Sequence, residues 1–105
     1  MYIVCVTACP TGIAHTFMAA ESLQKHARAK GLEIQVETQG SLGIDNAIDE
    51  DDIARADGVI IAAAVAIEGA ERFEGLPSIE CSVEDPIAEG EAVIDALLGE
   101  IENTG

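Results

Sequence analysis

A chain of 105 residues has room for one hydrophobic core, so the whole of 1–105 is read as a single domain and a two-domain enzyme is excluded. Apolar residues make up 49% of it but aromatics only 3%, which leaves Ile, Val, Leu and Ala to fill the core and removes the stacking platforms that single-stranded nucleic acid needs. Twenty Asp and Glu against five Lys and Arg give a formal charge of -15, which repels phosphate backbones and anionic lipid head groups and excludes nucleic acid as a partner.

In chain order, residues 2 to 7 (YIVCVT) form an unbroken β-branched and apolar run, the pattern of a strand buried on both faces of a parallel sheet. A turn-rich loop, Ala8 to Gly12, follows. A helix is predicted from Ala14 to Lys30, with Thr16, Ala19, Ala20, Leu23 and Ala27 on one stripe and Glu21, Lys25 and Arg28 on another. Arg28 and Lys30 suit the negative end of its dipole, and Gly31 can take the left-handed conformation that ends it. A second strand runs from Glu33 to Thr38, followed by a loop over 39–43. Asp49 caps a short helix reaching Ala56, its early acids matched to the positive helix end. The third strand covers 58–64 and a short helical piece covers 68–73. Pro77 precedes a weak fourth strand over 78–82. Asp85 and Pro86 read as the cap and first residue of a last helix, whose Ile87, Ile94, Leu97, Leu98 and Ile101 share a face. The fold class is therefore α/β: three layers, with a four-stranded, mainly parallel, Rossmann-like sheet and helices on both faces. The first strand starts at residue 2 and the last helix ends near Glu102, which suits either a free-standing subunit or an excised domain.

The charge is lopsided. Residues 1–44 carry Glu21, Glu33 and Glu37 against Lys25, Arg28 and Lys30, and sum to zero; from Asp45 onward 17 acids face only Arg55 and Arg72. An N-terminal part spared this acidity is suited to holding an anion, although acids that merely coat solvent faces would give the same pattern. So acidic a coat also suits very high salt and a halophilic source. No stretch approaches the roughly 18 apolar residues a membrane helix needs, and the start MYIVCVTAC lacks the basic residues of a secretion signal. A soluble, cytoplasmic protein is expected.

Three cysteines, Cys5, Cys9 and Cys81, make neither a disulfide framework nor a metal motif. Cys5 and Cys81 lie on strands and read as small hydrophobes. Cys9 is different. It follows the first strand, at the carboxyl edge of the sheet where α/β proteins bind ligands, and precedes a helix whose free N–H groups and dipole stabilise a thiolate or an anion on it. Gly12 lets that loop close so that several amides converge, and Thr11 and Thr16 can add hydroxyl donors. The spacing is Cys-x5-His-Thr, with His15 where cysteine phosphatases place an arginine. Histidine has fewer donors and a charge that depends on pH, and the loop and early helix carry no obvious acid. A phosphoryl carrier fits these residues better than a hydrolase; the alternative is a cysteine-dependent phosphatase or an arsenate-reductase-like enzyme.

The run Ala8-Cys9-Pro10-Thr11-Gly12-Ile13-Ala14-His15-Thr16-Phe17-Met18-Ala19-Ala20-Glu21 resembles the signature of the fructose-type IIB domain of the phosphoenolpyruvate-dependent sugar phosphotransferase system. Val36-Glu37-Thr38-Gln39-Gly40-Ser41, Asn46-Ala47-Ile48, Ala56-Asp57 and Arg72-Phe73 add to it. The resemblance implies a phosphotransferase in which Cys9 takes phosphate from a phosphohistidine of the IIA partner and passes it to fructose, or a related sugar, bound by the membrane IIC partner. Phosphate would lie against Pro10, Thr11, Gly12, Ile13, Ala14, His15 and Thr16, with no cofactor and no metal. The protein would be a cytoplasmic monomer that meets the membrane only through IIC. Two departures stand out: Ala64-Val65-Ala66 is apolar where the family is polar, and beyond Phe73 little matches.

Other residues divide between two roles. His15 either donates to the phosphoryl group or caps and orients the loop. Phe17 and Met18, off the sheet-facing stripe, form a docking patch or fill a gap. Gln39 and Ser41 are placed to hydrogen-bond the site. His26 reads as a solvated helix residue, and Asp49 to Asp52 as a helix start, since they lack calcium-loop spacing.

Overall fold

The computed structural model describes residues 1–8, 13–40, 43–63 and 67–104. Its elements are β1 (Tyr2–Ala8), α1 (Ile13–Ala29), β2 (Glu33–Gly40), β3 (Gly43–Asp45), α2 (Glu50–Arg55), β4 (Gly58–Ala63), a 3-10 turn (Ala70–Phe73), β5 (Ser78–Cys81) and α3 (Glu84–Thr104). The strands form one sheet in the order β3-β2-β1-β4-β5. β1 is central and parallel to both β2 and β4, and β5 extends the parallel set. This explains its composition: with strands on both edges and cover on both faces, every residue from Ile3 to Ala8 is buried.

The expected three-layer α/β architecture is present, with five strands rather than four. The stretch read as a loop over 39–43 instead carries the end of β2, and Gly43–Asp45 pairs antiparallel with Thr38 to Gly40. Three exposed residues containing a glycine and an aspartate show no alternation, so only the neighbouring edge of β2 reveals this strand. The last helix starts at Glu84, ahead of the expected cap. Asp85 lies in its first turn, and its carboxylate accepts from the Ser82 N–H at 3.1 Å.

The two faces are built differently. On one, Ile3, Cys5, Val36 and Ile60 meet Ala20, Leu23 and Ala27 of α1 and Val93, Ile94 and Leu97 of α3. Those α1 residues are the stripe legible in the sequence, and Gly31 ends the helix at φ +77° as expected. On the other, Val4, Val6 and Val59 are covered by Ile48 and Phe73, flanked by α2. α2 opens on a reciprocal cap: the Asp49 carboxylate accepts from the Asp52 N–H and the Asp52 carboxylate from the Asp49 N–H.

α1 and α3 touch closely because of one glycine. A Cβ on Gly90 would lie 2.5 Å from Ser22 Oγ and 2.7 Å from His26 Nδ1. The Ser22 hydroxyl donates to the Pro86 carbonyl at 2.6 Å and His26 Nδ1 to the Ser22 carbonyl at 2.8 Å, and α3 leaves helical geometry at Glu89 (φ -141°, ψ 53°). His26 is thus half-buried against α3 and not the solvated residue expected; which helix crosses it cannot be read from its own turn. In an open helix, Gly→Ala stabilises by about 1 kcal/mol. Here the methyl must displace Ser22, and Gly90→Ala is expected to destabilise by roughly 1–2 kcal/mol through overpacking and the lost hydrogen bond, checked by urea unfolding.

Candidate functional site

β1 is the strand at which the chain order reverses: β2 lies on one side of it and β4 on the other. The carboxyl end of such a strand is where α/β folds bind their ligands. Of the expected site residues, Cys9, Pro10, Thr11 and Gly12 lie outside the described residues, as do Ser41 and the departure at Ala64 to Ala66. Ile13, Ala14 and His15 form the first turn of α1. Thr16 is buried, and its carbonyl accepts the Thr7 hydroxyl at 3.2 Å. This bond fastens the start of α1 to the end of β1 on either side of residues 9–12.

α1 has no acidic residue in its first turn. Its N-terminal amides and positive dipole end are therefore not neutralised by the helix's own carboxylates. Phe17 and Met18 are each 50% exposed on the next turn, outside the stripe that faces the sheet. Met18 also lines a surface cleft of about 320 Å³ with Glu21, Ser22, Lys25, His26 and Ile87.

The other cysteines have the inert character expected of them. Cys5 is fully buried on β1, and burial pushes its thiol well above the ordinary range. Cys81 is half-buried on β5, and burial, aided by the Asp85 charge, pushes it up to about 11.

A polar group of which the sequence singled out only Gln39 for a functional role lies on the opposite face from α1. Glu37 sits on β2 beside Val6, and Gln39 beside Ala8, the residue that precedes Cys9. The Glu37 side chain is 1% exposed and pairs with Arg72, which is 25% exposed. The pairing is a fork: Nη1 donates to Oε1 at 2.9 Å and Nη2 to Oε2 at 3.0 Å. Ile48 N–H also donates to Oε1 at 2.8 Å and Gln39 Nε2 to Oε2 at 2.7 Å. Arg72 spends its remaining N–H groups on the carbonyls of Gly69 (2.7 Å), Ile48 (2.8 Å) and Glu68 (3.2 Å). Gly69 stands at φ +72°, and a Cβ there would be 2.7 Å from Arg72 Nε, so this approach needs glycine. Gln39 meanwhile holds Glu68 like a strand neighbour, donating to its carbonyl at 3.0 Å and accepting from its N–H at 2.9 Å. The hydrogen bonds of the Gln39 side chain thus go to Glu37 and Glu68, and those to Glu68 join the segment after β4 to the end of β2.

Burial pushes the Glu37 carboxyl up, but hydrogen bonds from Arg72, Gln39 and Ile48, with the Arg72 charge, outweigh it and hold the group below the usual carboxylate range. Its stabilising effect is complete above the unfolded-chain value of about 4.3 and is lost as pH falls through the folded one. Glu37→Gln is therefore expected to flatten the acid limb of stability, seen as a smaller fall in urea midpoint between about pH 5 and pH 3 than in the wild type.

Two signals in the sequence could have pointed to this pair. Glu37 is an acid on a strand otherwise tied to the core, and Arg72 is one of only two bases after Asp45.

Comparison with known proteins agrees with this architecture. A family model described as the lactose/cellobiose-specific IIB subunit of the PTS system matches residues 4–96. The PTS system fructose-like EIIB component 2 of Escherichia coli K12 is 41% identical over 102 residues, covering 97% of this chain and 96% of its own length. The PTS system 2-O-alpha-mannosyl-D-glycerate-specific EIIABC component of the same strain is 49% identical over 91% of this chain, which spans 15% of that longer protein. Among solved structures, a domain of the fructose-specific IIABC component of Borrelia burgdorferi superposes with a TM-score of 0.89 at 42% identity, covering 93% of each chain. The likeness thus continues past Phe73, where the recognisable motifs stop. The chain belongs to the fructose-type IIB family of the sugar phosphotransferase system and is a phosphotransferase component of that family.

Proposed function

We propose that Cys9 is the residue of this IIB domain that carries phosphate, receiving it from a phosphohistidine of a IIA component and delivering it to a sugar held by a membrane IIC component. The observation that carries the reading is the junction of β1 and α1. The central strand ends at Ala8, the helix begins at Ile13 with no acid in its first turn, and Cys9 is the first residue between them. The helix terminus that follows this position in sequence is of the kind that stabilises a thiolate or an anion.

In the first step the Cys9 sulfur attacks phosphorus in line. The S–P bond forms as the N–P bond breaks, and the departing histidine nitrogen keeps the electron pair. Charge on the equatorial oxygens is met by amides of the loop and of the α1 first turn, with His15, Thr11 and Thr16 as further donors. In the second step the sugar hydroxyl oxygen attacks phosphorus and gives up its proton, the O–P bond forms as the S–P bond breaks, and Cys9 leaves as thiolate. Fructose or a related sugar is the acceptor inferred from the fructose type. Among the described residues no helix is long and apolar enough to cross a membrane, in keeping with a sugar site that belongs to IIC. The domain works as a cytoplasmic monomer and reaches the membrane through that partner.

Incubation with a fructose-type IIA phosphorylated on histidine, followed by intact-mass measurement, is expected to show a gain of one phosphoryl group that vanishes when Cys9 has been alkylated beforehand. Catalytic release of phosphate from an aryl ester, with no stable phosphoprotein, would overturn the reading in favour of a phosphatase.

A further inference from the structure

We propose that Arg72 is a positioning residue for the phosphoryl site, acting through Glu37: it cancels a buried carboxylate that would otherwise repel the phosphoryl anion at the end of β1. The proposal rests on Cys9 being the phosphoryl acceptor.

The placement carries the argument. Paired residues on neighbouring strands point to the same face, so Glu37 lies beside Val6 and Gln39 beside Ala8, the last residue of β1 and the one that precedes Cys9 in sequence. A full negative charge at 1% exposure is poorly screened by solvent, and its repulsion of a second anion falls off slowly in such surroundings. Stability alone does not require an ion pair here, because a buried pair replaced by apolar residues of similar volume is often as stable. The acid has a local use in accepting from the Ile48 N–H, which ties the segment before α2 to β2, and from Gln39, whose side chain it helps hold toward Glu68. Arg72 lets it keep that use at no net charge. The guanidinium is shaped for this: all of its N–H groups are engaged, two of them on the carboxylate, so the cation cannot turn toward another partner. Electrostatically, the other group that acts on Arg72 is Glu71, on the same turn.

The test compares single-turnover transfer from phosphorylated IIA at saturating IIA, with urea midpoints recorded for every variant. Arg72→Met, which leaves Glu37 alone, is expected to slow transfer by at least roughly tenfold, with the half-saturating IIA concentration little changed. Adding Glu37→Gln to it removes the stranded charge, and the double variant is expected to recover to within about threefold of wild type, a non-additivity that a scaffold role would not produce. Arg72→Lys keeps the charge but loses the fork, so its rate should stay near that of the wild type even as its urea midpoint falls. If Arg72→Met does not fold, the Lys variant and the double variant still decide the matter. Wild-type speed in Arg72→Met, or a double variant as slow as the single one, overturns the proposal while leaving Cys9 as acceptor. If wild-type protein gains no phosphoryl group on Cys9, both readings fall together.

Discussion

If Cys9 is the acceptor proposed above, replacing it by Ser is expected to reduce phosphoryl acceptance from IIA by at least about a thousandfold, since a hydroxyl at neutral pH lacks the anionic character of a thiolate. The remaining cysteines are unfit by position. Cys5 is enclosed between β2 and β4 with its thiol pushed up by burial, and Cys81, at about 11, has almost no thiolate at pH 7. The same contrast predicts the order of alkylation. Iodoacetamide at pH 7 should modify Cys9 first, with loss of phosphoryl acceptance, and should reach Cys5 only after the protein is unfolded. Peptide mapping by mass spectrometry reads both results, and early labelling of Cys5 in native protein would contradict the burial described.

The largest loss of stability from a single substitution in the polar layer is expected for Arg72→Met, at about 3 kcal/mol. The cost arises less from the bonds removed than from what stays behind, a Glu37 carboxylate at 1% exposure with its cation gone. The Gly69, Ile48 and Glu68 carbonyls lose their donor in the same step. Because Arg72 is itself 25% exposed, the figure belongs at the lower end of what buried pairs give. Urea unfolding at pH 7 measures it. Lowering the pH should narrow the gap between variant and wild type, because protonation relieves the stranded carboxylate in one and abolishes the paired one in the other. A gap that is constant with pH would show that packing, and not charge, sets the loss.

What could be read from the sequence follows the range of the interactions involved. β1 and β4 were legible because strands covered on both faces are apolar throughout, and α1 because its core stripe repeats with the helical period. The α2 start was visible in Asp49 and its following acids, all local signals. Glu37 and Arg72 both stand in segments that resemble the family, but their pairing joins residues 35 apart in sequence, and neither residue's neighbours report that distance. His26 and Gly90 illustrate the same limit: each turn of helix looks ordinary until the other is laid against it. β3 was hidden because its edge position asks nothing of its side chains. The elements that flank the proposed site, the end of β1 and the start of α1, were legible because their signals are local in the chain.

The central place of β1 has a consequence for how the polypeptide is made. Its two edges are completed by residues 33–40 and 58–63, so the first strand to leave the ribosome waits for more than half of the chain before its second edge is covered. Until Ala63 has emerged, a nascent chain presents an apolar strand with an open edge, the kind of surface through which unfinished chains stick together. Six of the 17 acids that start at Asp45 are translated before Ala63, and their like charge opposes the association of nascent chains while that edge is open.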